Sequence, residues 1–174
     1  MSYTRPTGYT IIELLVIIVV IGILASITLV SYRAIQERSQ ASAISDGLRK
    51  VNQSLNIWAT QTNMATWPLD PVSGGGTPLS SLIASNPALK DVLQQVPNVK
   101  GIHTEEWFYD NEGDSRISCG DPYDGVNIVI RFVDNANVAK LVDQTLDDGD
   151  VNCGTVRYAD QRIFYSISYG QVVK

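Results

Sequence analysis

A run of apolar and small residues from Ile11 to Val30, broken only near its start by Glu13, limits this chain more than any other stretch. At about 1.5 Å per residue, such a run is long enough as a helix to cross a hydrocarbon core of ~30 Å. A charge inside a span costs roughly 2.5 to 3.5 kcal/mol at the centre and less near an end, so Glu13 needs a partner or a purpose. Met1 to Gly8 is polar, carries Arg5, and ends in glycine immediately before the run. An ordinary secretory signal is cut after its apolar core, which here would discard the anchor; the processing point therefore belongs ahead of it.

A chain of 174 residues, less a leader and a span, leaves room for one modest soluble domain. The formal charge of −5 becomes more negative once Arg5 is lost, which argues against a polyanion such as DNA as partner. Cys119 and Cys153 both lie downstream of the span. A single pair in an exported domain is most simply a disulfide, closing a loop worth roughly 3 to 4 kcal/mol on the chain-entropy account. Two thiols are too few for structural zinc unless His103 and a carboxylate join them.

Past the span the helical pattern continues, because no proline interrupts it before Pro68 and Ile44, Leu48, Val51, Leu55 and Trp58 recur at steps of four and three. Asp46, Arg49, Lys50, Gln53 and Asn56 fall on the opposite side. The economical reading is one helix from about Ile11 to about Thr62 whose second half packs its stripe on a head, with Gly47 tolerated at a cost of about 1 kcal/mol. Asn63 to Pro78, with Trp67-Pro68, Pro71 and Gly74-Gly75-Gly76, reads as a loop. Pro78 to Ile83 and Pro87 to Leu93 read as short helices, the second with proline in its first turn. From Glu106 the period becomes two. Trp107 to Tyr109 and Ile117 to Cys119 predict a hairpin around Asp110 to Asp114. Val126 to Phe132 predicts a half-buried strand, and Val138 to Leu146 a helix capped by Asn135 or Asn137. Ile163 to Tyr169 predicts a strand paired with Gly154 to Tyr158. The class is α+β: a long helix across an antiparallel sheet of about four strands.

The stretch Gly8-Tyr9-Thr10-Ile11-Ile12-Glu13-Leu14-Leu15, followed by Ile21-Gly22-Ile23-Leu24-Ala25, resembles the class III signal of type IV pilins and type II secretion pseudopilins. Tyr9 stands where the family usually has phenylalanine, and Val30 where many members have proline. The order of parts is similar to the pilin fold, and the Leu146-Asp147-Asp148-Gly149 turn with Gly154 resembles a C-terminal element of many minor pilins and pseudopilins. The resemblance implies that a prepilin peptidase cuts between Gly8 and Tyr9 and methylates the Tyr9 amine. It divides the chain into a leader (1–8), a transmembrane and polymerisation helix (9–30), its amphipathic continuation (31–62) and a globular head (63–174).

A carboxylate buried among packed helices is stabilised only by an opposite charge, which the new Tyr9 amine of a neighbouring subunit would offer to Glu13. Implied partners are further copies of the chain, the peptidase, membrane-embedded assembly machinery and, before assembly, the bilayer. The implied location is the inner membrane with the amino terminus inside, then an extracellular pilus serving adhesion, motility or DNA uptake. A type II secretion pseudopilin shares the signal. A reading of another class is an uncleaved signal-anchored surface binding protein; the positive-inside rule barely separates these, because Arg5 on one side faces Arg33 and Arg38 on the other.

No catalytic residue is assigned, since neither Gly-x-Ser-x-Gly nor His-Glu-x-x-His occurs, and nothing resembles Cys-x-x-Cys. No cofactor is required. Asp143, Asp147, Asp148 and Asp150, with Asn152, could bind calcium as type II secretion major pseudopilins do, although EF-hand spacing is lacking and acidic turns are usually solvated. His103 reads as a surface loop residue, and the Asn52-Gln53-Ser54 sequon is discounted because it lies on the helix.

Overall fold

The structure, a computed structural model, describes residues 8–62, 67, 76–111, 119 and 126–168. It divides into two compact units, Met1–Gln36 and Glu37–Lys174.

Helix α1 runs Ile11–Gln61. In the first unit every described side chain from Ile11 to Leu29 is exposed, and the most apolar window of 18 residues has a mean hydropathy of 3.0 with none of it buried. Helix is the one conformation that satisfies all backbone groups within such a segment without water. Ser26 and Ser31 return their hydroxyls to the carbonyls of Gly22 and Ile27, so their polarity is absorbed locally.

In the second unit the same helix changes character. Ile44, Leu48, Val51, Leu55 and Trp58 are buried, and Asp46, Arg49, Lys50, Gln53 and Asn56 are exposed. Gly47 does more than survive in this stretch: a Cβ there would lie 2.8 Å from the Trp107 ring and 3.2 Å from Pro97, so glycine lets helix and sheet approach.

Short strand β1 (Thr77–Pro78) leads into α2 (Leu79–Ser85) and α3 (Pro87–Val92), the latter with proline in its first turn. Strands β2 (Trp107–Asn111) and β3 (Val126–Ile130), helix α4 (Ala136–Leu146) and strands β4 (Val156–Ala159) and β5 (Arg162–Ser168) complete the unit. The sheet is antiparallel throughout, in the order β1-β2-β3-β5-β4. The α1 stripe shares one core with Trp107, Tyr109, Ile128, Ile130, Val156, Ile163 and Tyr165 from a single sheet face.

The α+β architecture, the long helix, the buried stripe, α4 and the β4–β5 pair are as the sequence reading had them, with Asn135 as the α4 cap, its side chain accepting from the Asn137 amide at 2.9 Å. Three expectations are corrected. The sheet has five strands, because Thr77 and Pro78 pair with Tyr109 and Phe108 at the edge, where a strand's outer N–H is not needed and proline is tolerated. Strand β2 takes its described partners elsewhere than the expected hairpin: β1 and β3 lie on its two sides, with Trp107 opposite Ile130 and Tyr109 opposite Ile128. Ile117 and Ser118 lie outside the described residues, as do Tyr169 and most of the 63–78 connector.

Strand β3, thirdly, is buried on both faces rather than one. Its inner polar residue Asn127 is matched: the buried Arg157 guanidinium donates to Asn127 Oδ1 and Ser166 Oγ at 2.9 Å each, and Ser166 Oγ donates to Asn127 Oδ1 at 2.8 Å. The strand also stops at Ile130. Phe132 adopts φ 60° and is 66% exposed, while its neighbours are pinned, Arg131 N–H to the Glu106 carbonyl and Val133 N–H to the Gln161 carbonyl, both at 2.9 Å.

Candidate functional site

Two places carry the residues of interest, one in each unit. At the start of α1, Gly8 and Tyr9 are exposed, and the helix begins only at Ile11. Glu13 lies in its first turn, where the unpaired amides of a helix favour a negative group. The amide and hydroxyl of Thr10 both donate to Glu13 Oε2 at 2.8 Å, and the Glu13 amide reaches Thr10 Oγ1 at 3.3 Å. This is a reciprocal capping box, built by a threonine and a glutamate three residues apart. Both donors fall on one oxygen. Among the described residues no donor reaches Oε1, so that oxygen is available to a group from outside the chain. Sequence reasoning singled out Glu13 but passed over Thr10, although the Thr-x-x-Glu spacing ahead of an apolar run was there to be read.

The second place is the turn after α4. Asp147 Oδ2 accepts the Thr155 amide and, at 3.4 Å, the Val156 amide, so this carboxylate ties the turn to the start of β4. Gly154 sits beside it at φ 92°, with the Asp147 carboxylate filling the space a Cβ would need. Asp148 Oδ1 accepts the Asp150 amide at 2.9 Å, and Asp150 Oδ1 accepts the Asn152 amide at 3.1 Å.

Asp143, on α4, differs from these three. It has no exposed surface, and its carboxylate oxygens lack a hydrogen bond of good geometry, with the Gly149 amide the backbone donor that faces them. Oxygen atoms of Asp143, Asp147 and Asp148 lie within 4.8 Å of one another. Burial first, then the charges of Asp147 and Asp148, push the Asp143 carboxyl up to about 6, against the usual carboxylate range. Such a triad can share a proton or hold a hard cation through its oxygens. The carboxylates that meet are thus Asp143, Asp147 and Asp148, whereas Asp150 turns into its own loop.

Cys119 and Cys153 are joined by a disulfide with Cα atoms 4.4 Å apart, which anchors the far end of the acidic turn. His103 is exposed, its amide donating to Glu106 Oε2 at 3.0 Å at the start of a short 3-10 turn. Asn52 is half-buried and donates to the Tyr165 hydroxyl at 3.3 Å, a role at odds with glycosylation.

No family model and no solved structure matches the chain. It is 26% identical over 130 residues to the type IV major pilin protein PilE of Neisseria gonorrhoeae, an alignment covering 68% of this chain and 77% of that protein. In this chain the match accompanies an apolar helix with a first-turn carboxylate, a buried stripe on the same helix, an antiparallel sheet and a disulfide between Cys119 and Cys153. With its pilin-like α+β fold, the chain is a distant homologue of the type IV pilins.

Proposed function

We propose that the chain is a structural subunit that polymerises through the first part of α1 into a type IV pilus filament. The observation that carries this reading is an apolar helix with no buried surface and a carboxylate in its first turn. Apolar surface on every side suits lipid first and a bundle of like helices afterwards, with burial of that surface driving assembly once the subunit leaves the membrane. In this reading residues 1–8 are removed by a prepilin peptidase, and the methylated Tyr9 amine of one subunit pairs with Glu13 of the next. The geometry supports it: the Thr10 cap holds the carboxylate in place on Oε2 and leaves Oε1 to accept. The filament would act mechanically, in adhesion, motility or DNA uptake, outside the cell.

Mass spectrometry of the mature protein tests the processing step; a methylated Tyr9 start is expected, and a Met1 or Ser2 start would instead indicate a plain signal anchor. Glu13→Ala is expected to keep processing and membrane insertion but to abolish filaments. Normal filament yield from that variant would sink the assembly role.

The acidic turn adds a second element, a calcium site at Asp143, Asp147 and Asp148. Buried Asp143, whose oxygens lack a hydrogen bond of good geometry, supports it. A carboxylate in that position gains from a divalent cation what the fold does not provide.

A further inference from the structure

We infer that Phe132 is a subunit-contact residue whose ring docks on a second copy of this chain, an inference that rests on the filament reading above. Among the described residues of the Glu37–Lys174 unit, only Ile57 and Phe132 are large apolar side chains left exposed, and Phe132 is the more exposed at 66%. Its backbone is also unusual. Among the described residues three non-glycine residues have positive φ: Asp160 and Gln161, at 49° and 58°, and Phe132 at 60°. The first two are polar and form the two-residue turn between β4 and β5, a position that calls for left-handed residues. Phe132 is bulky and aromatic, a residue type for which this region is a true outlier.

The strain is imposed from both sides. Arg131 is held by the Glu106 carbonyl and its guanidinium lies 3.6 Å from the centre of the Phe108 ring; Val133 is buried and held by the Gln161 carbonyl. With both flanks fixed, the intervening residue is turned outward. The chain thus accepts a left-handed backbone and a largely solvated ring at one position. Local strain of this kind persists where a function outside local stability retains it.

A second copy is the partner these facts favour. The chain is a homologue of a type IV major pilin, and its net charge of −5 works against association of copies, so an apolar contact that offsets this repulsion favours the filament. A single exposed ring on a soluble head is ordinary in itself; here it coincides with a left-handed backbone held from both sides, and buried aromatic anchors dominate interface energies. Contact between unlike patches of successive copies propagates rather than closes, as a helical filament requires.

The test uses the full-length chain in cells that produce filaments. Phe132→Asn keeps a residue tolerant of left-handed backbone and removes the ring. The expected result is filament yield reduced about tenfold or more, a loss of one good anchor, with the detergent-solubilised subunit melting no lower than the parent. A benzophenone amino acid placed at 132 in assembled filaments is expected to cross-link two subunits on irradiation. Parental yield from Phe132→Asn, a lowered melting temperature that accounts for the loss, or cross-links only to lipid or to a different protein would each overturn the inference. Absence of filaments from the unaltered chain would remove the filament reading and this inference with it, whereas normal parental filaments with an indifferent variant would overturn this inference alone.

Discussion

The two stretches of α1 are one helix with opposite relations to their surroundings. From Ile11 to Leu29 every described side chain is exposed and nearly all are apolar; from Ala41 to Trp58 the large apolar residues other than the exposed Ile57 form one stripe, and that stripe is buried. Hydrophobicity alone does not place a residue in a core. What places it is periodicity: a stripe can be satisfied by one packed face, whereas a helix apolar all round needs an apolar surrounding that its own chain does not contain. Each of the two units also carries one out-of-place carboxylate, Glu13 on α1 and Asp143 on α4. Glu13 is capped by Thr10 and exposed, and Asp143, packed in the head, is buried without a hydrogen bond of good geometry.

The sharpest way to break this contrast is to shorten one side chain in each stretch. Leu48→Ala in the stripe is expected to destabilise the head by about 2 to 5 kcal/mol, through lost burial and the cavity left behind. Ile17→Ala in the exposed stretch is expected to leave head stability within about 0.5 kcal/mol of the parent. Thermal melts of both variants in detergent check this; a large loss from Ile17→Ala would show that the first stretch has a hidden packing partner in the chain.

The two carboxylates sharpen the contrast next. Folding favours the protonated form of Asp143, since its carboxyl is raised to about 6 from 3.8. Its contribution is therefore fully present below about pH 4 and is lost as pH rises through about 6, a change on the order of 3 kcal/mol at most. Denaturant melts from pH 4 to 8 measure it, and Asp143→Asn is expected to flatten this part of the profile. Saturating calcium is expected to raise the melting temperature at pH 7.5 and so to offset the stability lost between about pH 4 and 6, an effect absent in Asp143→Asn. Melts that ignore calcium would leave the triad as a proton-sharing group only.

Smallest of the expected effects is a comparison of two glycines. Gly47→Ala sets a methyl against Trp107 and Pro97 and is expected to cost about 1 to 2 kcal/mol after the gain in helix propensity. At Gly22 nothing lies within 4 Å of a new Cβ, so alanine there is expected to be neutral or to stabilise the helix by about 1 kcal/mol. The same melts, with helix content by circular dichroism, separate the two.

These contrasts also explain how far the sequence could be read. The α1 limits, the stripe, the capped α4 and β5 are local, periodic features, and each was legible from its own residues. Pairing was not. Strand β2 pairs with β3 and with β1, and two-residue β1 is too short to show a period. The alternation in β3 suggested a half-buried strand because Asn127 is polar; its burial depends on Arg157 and Ser166, which lie far along the chain. Likewise, the acidic run reads as a solvated turn until α4 brings in Asp143, and Phe132 continues a period of two that its backbone does not follow.

The Arg157, Asn127 and Ser166 cluster has a consequence for errors in folding. Because Asn127 lies opposite Ser166, a slip of β5 by one residue along β3 would bring Tyr165 or Ile167 to that place and take the hydroxyl from the buried guanidinium. Loss of one acceptor from a buried guanidinium costs about 1 to 3 kcal/mol, so a misaligned head would be less stable than the aligned one. The three side chains thus act as a proofreading lock, favouring one alignment of the sheet and leaving the faulty ones easier to undo.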